Sequence, residues 1–296
     1  MLVWLSLAVF AQFLSALTVF IDKYVLVSKE GIRSPAAFTF YTMLLSGVVV
    51  VLLPFGLVYF PTAEVAFLST VSALLYMSGL LFLYRALQEL SVTDVIPITA
   101  AFGAMTTGIL ATVLLTHDLT LAMLPGFLLL IIGTSFIYCF CFSWRIFFTT
   151  VAAGILIGAS TFTIKLVFEA ADFGNALFWP LFMNVVVALL VLAPARFFAI
   201  KEGLSSSSSG AKWMVLVSKV LGGVAFFLTF IAIALGSVSI ISALGGLQLV
   251  FLFILTPLLM RRVPGVFKGE IPSNVLVLKA VGTLSIVLGL AALFVT

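Results

Sequence analysis

Charge is scarce in this chain. Asp, Glu, Lys and Arg make up 8% of its 296 residues, against about 25% in an ordinary soluble domain. Histidine occurs once, as His117, and cysteine twice, as Cys139 and Cys141. The cysteines stand two apart in one apolar run and point to different faces of a helix, so neither a disulfide nor a metal pair is expected. His117 sits beside Asp118 in a connection, and the chain holds no HExxH and no paired acids within an apolar run. An enzyme would need a nucleophile with a base, or several metal ligands. No catalytic residue, metal or cofactor is therefore expected, and no nucleic-acid partner. No basic segment precedes the first apolar stretch and no small-residue cleavage site follows it, so a cleaved signal is not expected either.

Apolar residues fill the space instead, at 64% with mean hydropathy +1.38. A membrane-spanning helix needs roughly 20 such residues. Ten stretches qualify: 2–21, 36–55, 65–84, 95–115, 121–142, 147–168, 176–199, 213–235, 239–260 and 275–295. Little remains for a soluble domain. The expectation is an all-α integral membrane protein whose bundle is the whole chain.

The net charge of +4 matters through its placement. Thirteen of the fourteen basic residues, among them Lys23, Arg85, Lys219 and Lys279, fall in or beside the odd-numbered loops, and Lys165 alone falls on the other side. Cytoplasmic loops collect Lys and Arg. That asymmetry puts the odd-numbered loops in the cytoplasm and both termini outside, in a multi-pass plasma (inner) membrane protein. The seventh loop carries Glu202 to Gly210, EGLSSSSSG, read as a flexible linker over 202–212.

One layout occurs twice. Ser91-Val92-Thr93 joins the third span to the fourth, and Ser237-Val238-Ser239 joins the eighth to the ninth, an offset of 146. Thr18 and Lys23 of the first span match Ser160 and Lys165 of the sixth at an offset of 142. Five spans per unit is an odd number, so residues 146–296 would enter the membrane inverted relative to residues 1–145. Inverted repeats place a carrier's substrate site at the repeat interface near the midplane. The turn residues cap the helix that follows: Asp94 reads as an N-cap, with Pro97 in the first turn where its missing N–H costs little. Arg85 and Glu89, four apart, read as a local ion pair, and the same four residues as a capping or gate element.

Several stretches carry a family resemblance: FIDKYVLV, YRALQELSVTDVIPITAA, THDLTLAMLPGFLLLIIGTSFI, IALGSVSIISALGGLQLVF, FKGE and LVLKAVGTLSIVLGLA. Across essentially its whole length the chain resembles the EamA-like members of the drug/metabolite transporter superfamily. The resemblance implies ten helices in two inverted halves and transport of a small metabolite. Relatives have a glutamate between the fourth and fifth helices of each half, where this chain has Asp118 and Glu270. Many relatives keep their termini in the cytoplasm, opposite to the orientation that the basic residues indicate.

Polar side chains inside a bilayer face the bundle interior or a wet cavity. Gln12, Ser15, Asp22 and Lys23 share about 100° of the first helix. Gln248 lies centrally in the ninth span, and Tyr76, Thr106, Ser160, Thr161 and Asn184 are at mid-depth in others. Gln12, Ser15, Tyr76, Thr106, Ser160, Asn184 and Gln248 are the expected pathway residues. Gly154 and Gly158 form a GxxxG suited to close helix contact. Lys219 and Lys279 are close enough to helix ends to snorkel; turned inward, either would bind a carboxylate or phosphate. No carboxylate stands at a span's centre, which argues against proton-driven export of cationic drugs. The sequence thus points to a carrier of a small polar metabolite, an amino acid or similar, as monomer or homodimer, with solute and membrane lipid as partners. A lipid flippase on the same fold and a non-transporting membrane subunit are the alternatives.

Overall fold

The structure, a computed structural model, describes residues 2–28, 31–114, 124–138, 144–205, 207–235, 246–262 and 276–295. Every regular element among them is helical. Helix α1 is Leu2–Val27. Helix α2, Pro35–Leu45, starts with proline at its first position and with Ser34 Oγ accepting the Ala37 N–H at 3.3 Å, which meets two of the free-donor problems of a helix start. It tightens into a 3-10 stretch, Ser46–Phe55, where four successive valines bring branched β-carbons that crowd an α-helix. Helix α3 is Ala63–Glu89, capped by Thr62; α4 is Val92–Leu114; α5 is Leu124–Tyr138. Helix α6 is Trp144–Ala170. Helix α7, Phe173–Val187, continues through a π turn, Ala188–Leu192, to Ala195. Then come α8, Phe197–Ser205, α9, Ser209–Leu235, α10, Leu247–Arg262, and α11, Leu276–Val295.

Seven of these are long and apolar enough to cross a membrane: α1, α2 with its 3-10 extension, α3, α4, α6, α7 with its extension, and α9. Shorter apolar helices lie within α5, α10 and α11. The outside of the bundle carries bare Phe60, Phe198, Phe227 and Leu190, a surface suited to lipid and not to water. This is a multi-pass membrane protein.

Helix α3 runs along α6, α1 along α9, α5 along α11, and α4 on α6. The contacts are close because small residues line them. A Cβ on Gly154 would come within 2.8 Å of the Thr99 carbonyl oxygen, and one on Gly158 would overlap Gly103. The GxxxG of α6 is therefore the seam with α4, and Thr107 Oγ1 crosses it to the Gly158 carbonyl at 3.0 Å. Hydroxyls bind two further seams. Ser72 Oγ donates to the Ser160 carbonyl at 3.3 Å between α3 and α6. Ser218 Oγ lies 3.4 Å from the Thr18 carbonyl between α9 and α1.

Two local expectations change. Helices enter the Ser-rich run from both sides: α8 includes Ser205, Gly203 packs on Ala37, and Ser208 caps α9 by accepting from Ala211 N at 3.2 Å. Serine favours helix starts as much as linkers, and here contact with α2 decides. Helix α4 begins at Val92, before Asp94. The Ser91 carbonyl accepts from the N–H groups of Asp94 and Val95, so Ser91 starts the helix, Asp94 is its third residue and Pro97 is in the second turn.

Candidate functional site

A set of buried charges gathers near the end of the bundle where α1 and α3 finish and α4, α9 and α11 begin. It is built from neighbours in sequence that part company in space. Adjacent residues of a helix diverge by 100°, so Asp22 and Lys23 of α1 reach different helices. Both are buried.

Asp22 turns to α9. Its Oδ2 receives the Lys219 ammonium at 2.7 Å, and its Oδ1 the hydroxyl of Ser218. The same ammonium lies 3.4 Å from the Tyr84 hydroxyl and over two rings, 4.9 Å from the centroid of Phe38 and 5.7 Å from that of Tyr84. Phe38 and Tyr84 meet edge to face at 4.6 Å, and Thr42 fixes the Tyr84 hydroxyl at 3.1 Å. Tyr76 is within electrostatic reach of Asp22, Lys219 and Tyr84.

Lys23 turns to α3. Its ammonium donates to the carbonyls of Leu87 at 2.5 Å and Leu90 at 2.7 Å, which are among the acceptors that a helix end leaves unsatisfied. Just beyond that end, Ser91 Oγ bonds Asp94 at 2.5 Å. Asp94 in turn holds Lys279 of α11, with Oδ1 at 2.8 Å and Oδ2 at 2.9 Å. Only 2% of the lysine side chain and 4% of the aspartate's are exposed. Charges taken out of water to this degree cost far more than surface pairs and persist only when matched.

The expected pathway residues fare unevenly. Tyr76 is half-buried on α3, packed against the apolar core. Ser160 is spent on Ser72, hydroxyl to hydroxyl at 3.0 Å. Thr106 bonds the Phe102 carbonyl of its own helix at 2.8 Å. Asn184 is buried beside the π turn of α7. Gln12 and Ser15 on α1 and Gln248 on α10 are half-buried, on helices that meet through Phe13 and Phe251, 5.5 Å between centroids. Arg85 and Glu89 are exposed and form no ion pair with each other among the described residues. On the exterior of a helix both head groups are free to point away from each other. Asp118, Glu270, His117, Cys139, Cys141 and Ser237 to Ser239 lie outside the described residues. Among the described residues no group of three His, Cys, Asp or Glu is placed to hold a metal.

Lys219 and Lys279 are the residues that sequence reasoning undervalued: both turn inward. The signal was present in Asp22 and Asp94, acids near helix ends in a chain that spends few of them. A groove of about 430 Å³ lies at the other end of α1, lined by Leu5, Ser6, Val9, Phe10, Phe13 and Phe251.

No family model matches the chain, and no curated protein matches it. Solved structures do share its fold. One, described only as the crystal structure of a protein, is 18% identical, with 96% of this chain and 98% of that one covered at a TM-score of 0.56. At that identity the likeness concerns the fold alone.

Proposed function

We propose that this protein is a secondary transporter that moves a small polar metabolite by alternating access between two inverted five-helix halves, similar to the EamA-like carriers. The observation that carries this reading is a set of contacts that exchange when each helix of the first half is advanced onto its counterpart in the second. Advance α1 by 142 residues onto α6, and α3 by 146 onto α9. Thr18 then falls on Ser160 and Ser72 on Ser218. The bond from Ser72 to the Ser160 carbonyl becomes the contact from Ser218 to the Thr18 carbonyl, at 3.3 and 3.4 Å. Advance α5 by 156 onto α11, and Gly126 falls on Gly282, Leu130 on Ile286 and Gly133 on Gly289. A Cβ on Gly133 would meet Gly282 O at 2.6 Å and Ile286 N at 3.0 Å; one on Gly289 would meet Gly126 O at 2.9 Å and Leu130 N at 3.0 Å. Unrelated packing has no reason to bring matched positions into matched contacts, whereas a duplicated unit does.

The Asp22–Lys219 pair does not follow that exchange. The partners of Asp22 and Lys219 under the same offsets are Ile164 and Ala73. Parting the helices therefore costs a buried ion pair at Asp22 and Lys219 and none at the matching Ile164 and Ala73, so the two positions are not energetically equivalent. By the distribution of Lys and Arg the charged end is cytoplasmic, and the buried ion pairs would hold that end together. Flux from proteoliposomes loaded with labelled metabolites tests the reading: selective efflux of a few solutes is expected, and no flux from folded, inserted protein refutes it. A lipid-linked substrate is the second reading, favoured by the apolar groove beside Phe10 and Phe251; headgroup-dependent lipid transfer without solute flux would select it.

A further inference from the structure

The Lys219 ammonium is surrounded by groups that belong to the other half of the chain. Asp22 on α1 supplies the carboxylate, Tyr84 on α3 a hydroxyl and a ring face, and Phe38 on α2 a second ring face. Thr42 on α2 fixes the tyrosine, and Tyr76 on α3 stands within electrostatic reach. From the second half, among the described residues, come Lys219 itself and Ser218. A counter-ion, a hydroxyl acceptor and two π faces are what any primary ammonium is held by. None of them requires that the ammonium be tethered to α9.

We propose that Asp22, Phe38 and Tyr84 form an ammonium-binding cage on the first half, that Lys219 is its resident occupant, and that the cage takes the ammonium of the transported solute when α9 draws away. The inference rests on the carrier reading above and adds the solute's chemistry. Withdrawal of α9 leaves two buried charges unmatched, the Asp22 carboxylate and the Lys219 ammonium, and an unmatched buried charge is strongly disfavoured. One solute class repairs both: a small zwitterion, with its ammonium on Asp22 and its carboxylate on Lys219. The cage is then never empty, and solute and lysine alternate in it.

The test is to remove the tether and offer the ammonium back. The full-length Lys219→Ala protein in detergent is titrated with n-propylammonium and its thermal midpoint followed. A saturable rise of roughly 2–4 °C is expected. It should vanish in the double variant Asp22→Asn/Lys219→Ala. Wild type should need a concentration higher by about tenfold or more, because a tethered competitor acts at millimolar or greater effective concentration. No saturable rise in the folded single variant, or the same rise in the double variant, overturns the cage. If Lys219→Ala does not fold, Lys219→Ser carries the same titration. If that also fails, wild-type flux decides, and a carrier selective for solutes lacking an ammonium overturns the proposal. A positive amine response without flux keeps the cage and removes the carrier reading; flux of ammonium-free solutes without an amine response does the reverse.

Discussion

Lys279→Met should be among the most damaging single changes outside the tightest glycine seams. The substitution keeps the volume of the stem but removes the charge, and Asp94 is left in a site where 4% of its side chain is exposed. Its remaining hydrogen-bond partner is the Ser91 hydroxyl. Breaking one side of a buried pair costs about 3–5 kcal/mol. At about 2–4 °C per kcal/mol, the midpoint should fall by roughly 6–20 °C. The double variant Asp94→Leu/Lys279→Met should recover most of that loss, because an apolar replacement for both partners is neutral or stabilising by about 1–4 kcal/mol. Thermal unfolding in detergent, read by tryptophan fluorescence, measures all three proteins. Raising the salt to about 1 M shortens the screening length to about 3 Å and should leave the wild-type midpoint nearly unchanged, since water does not reach the pair. A double variant no more stable than Lys279→Met alone would refute the argument, and so would a wild-type midpoint that falls steeply with salt.

Other consequences follow from the same contacts. Lys23→Met strips the Leu87 and Leu90 carbonyls of a charged donor, a loss of about 1.5–3 kcal/mol per charge-assisted bond, and hydrogen exchange should quicken first at the end of α3. Ser72→Ala and Ser160→Ala should each be mild, with a coupling energy of about 0.6 and at most about 1.7 kcal/mol in a double-mutant cycle. At the opposite end, Asn175 donates to Asp172 and holds its carboxyl below the usual range. A lowered carboxylate stabilises the fold above the unfolded group's pKa of about 3.9 and loses that contribution as pH falls through the lowered value. Asn175→Ala should bring the Asp172 titration, followed by carboxyl-carbon NMR, back up towards the ordinary value.

Much of the architecture was legible because spans depend on composition along the chain. Gly154 and Gly158 announced a close contact, and the Ser91 turn announced a helix start, misplaced by a few residues because three of its side chains are competent caps. The destination of Lys219 and Lys279 was not legible. A lysine one or two turns inside a helix reaches the surface or turns inward according to what faces it, and here the facing carboxylates are 197 and 185 residues away in the chain. The partners of the mid-depth hydroxyls were not legible either. Ser160 is polar and central as a pathway residue should be, but its depth says nothing about the serine on α3 that engages it.

Helix α1 is keyed on two sides by consecutive residues. A rotation about its own axis large enough to pull Asp22 from Lys219 also carries Lys23 off the α3 carbonyls, and a slide along the axis does the same. The helix therefore has no small independent motion at this end. It moves only together with α3, or holds still while α9 draws away, and the two adjacent side chains set a threshold for movement of α1 that neither would set alone.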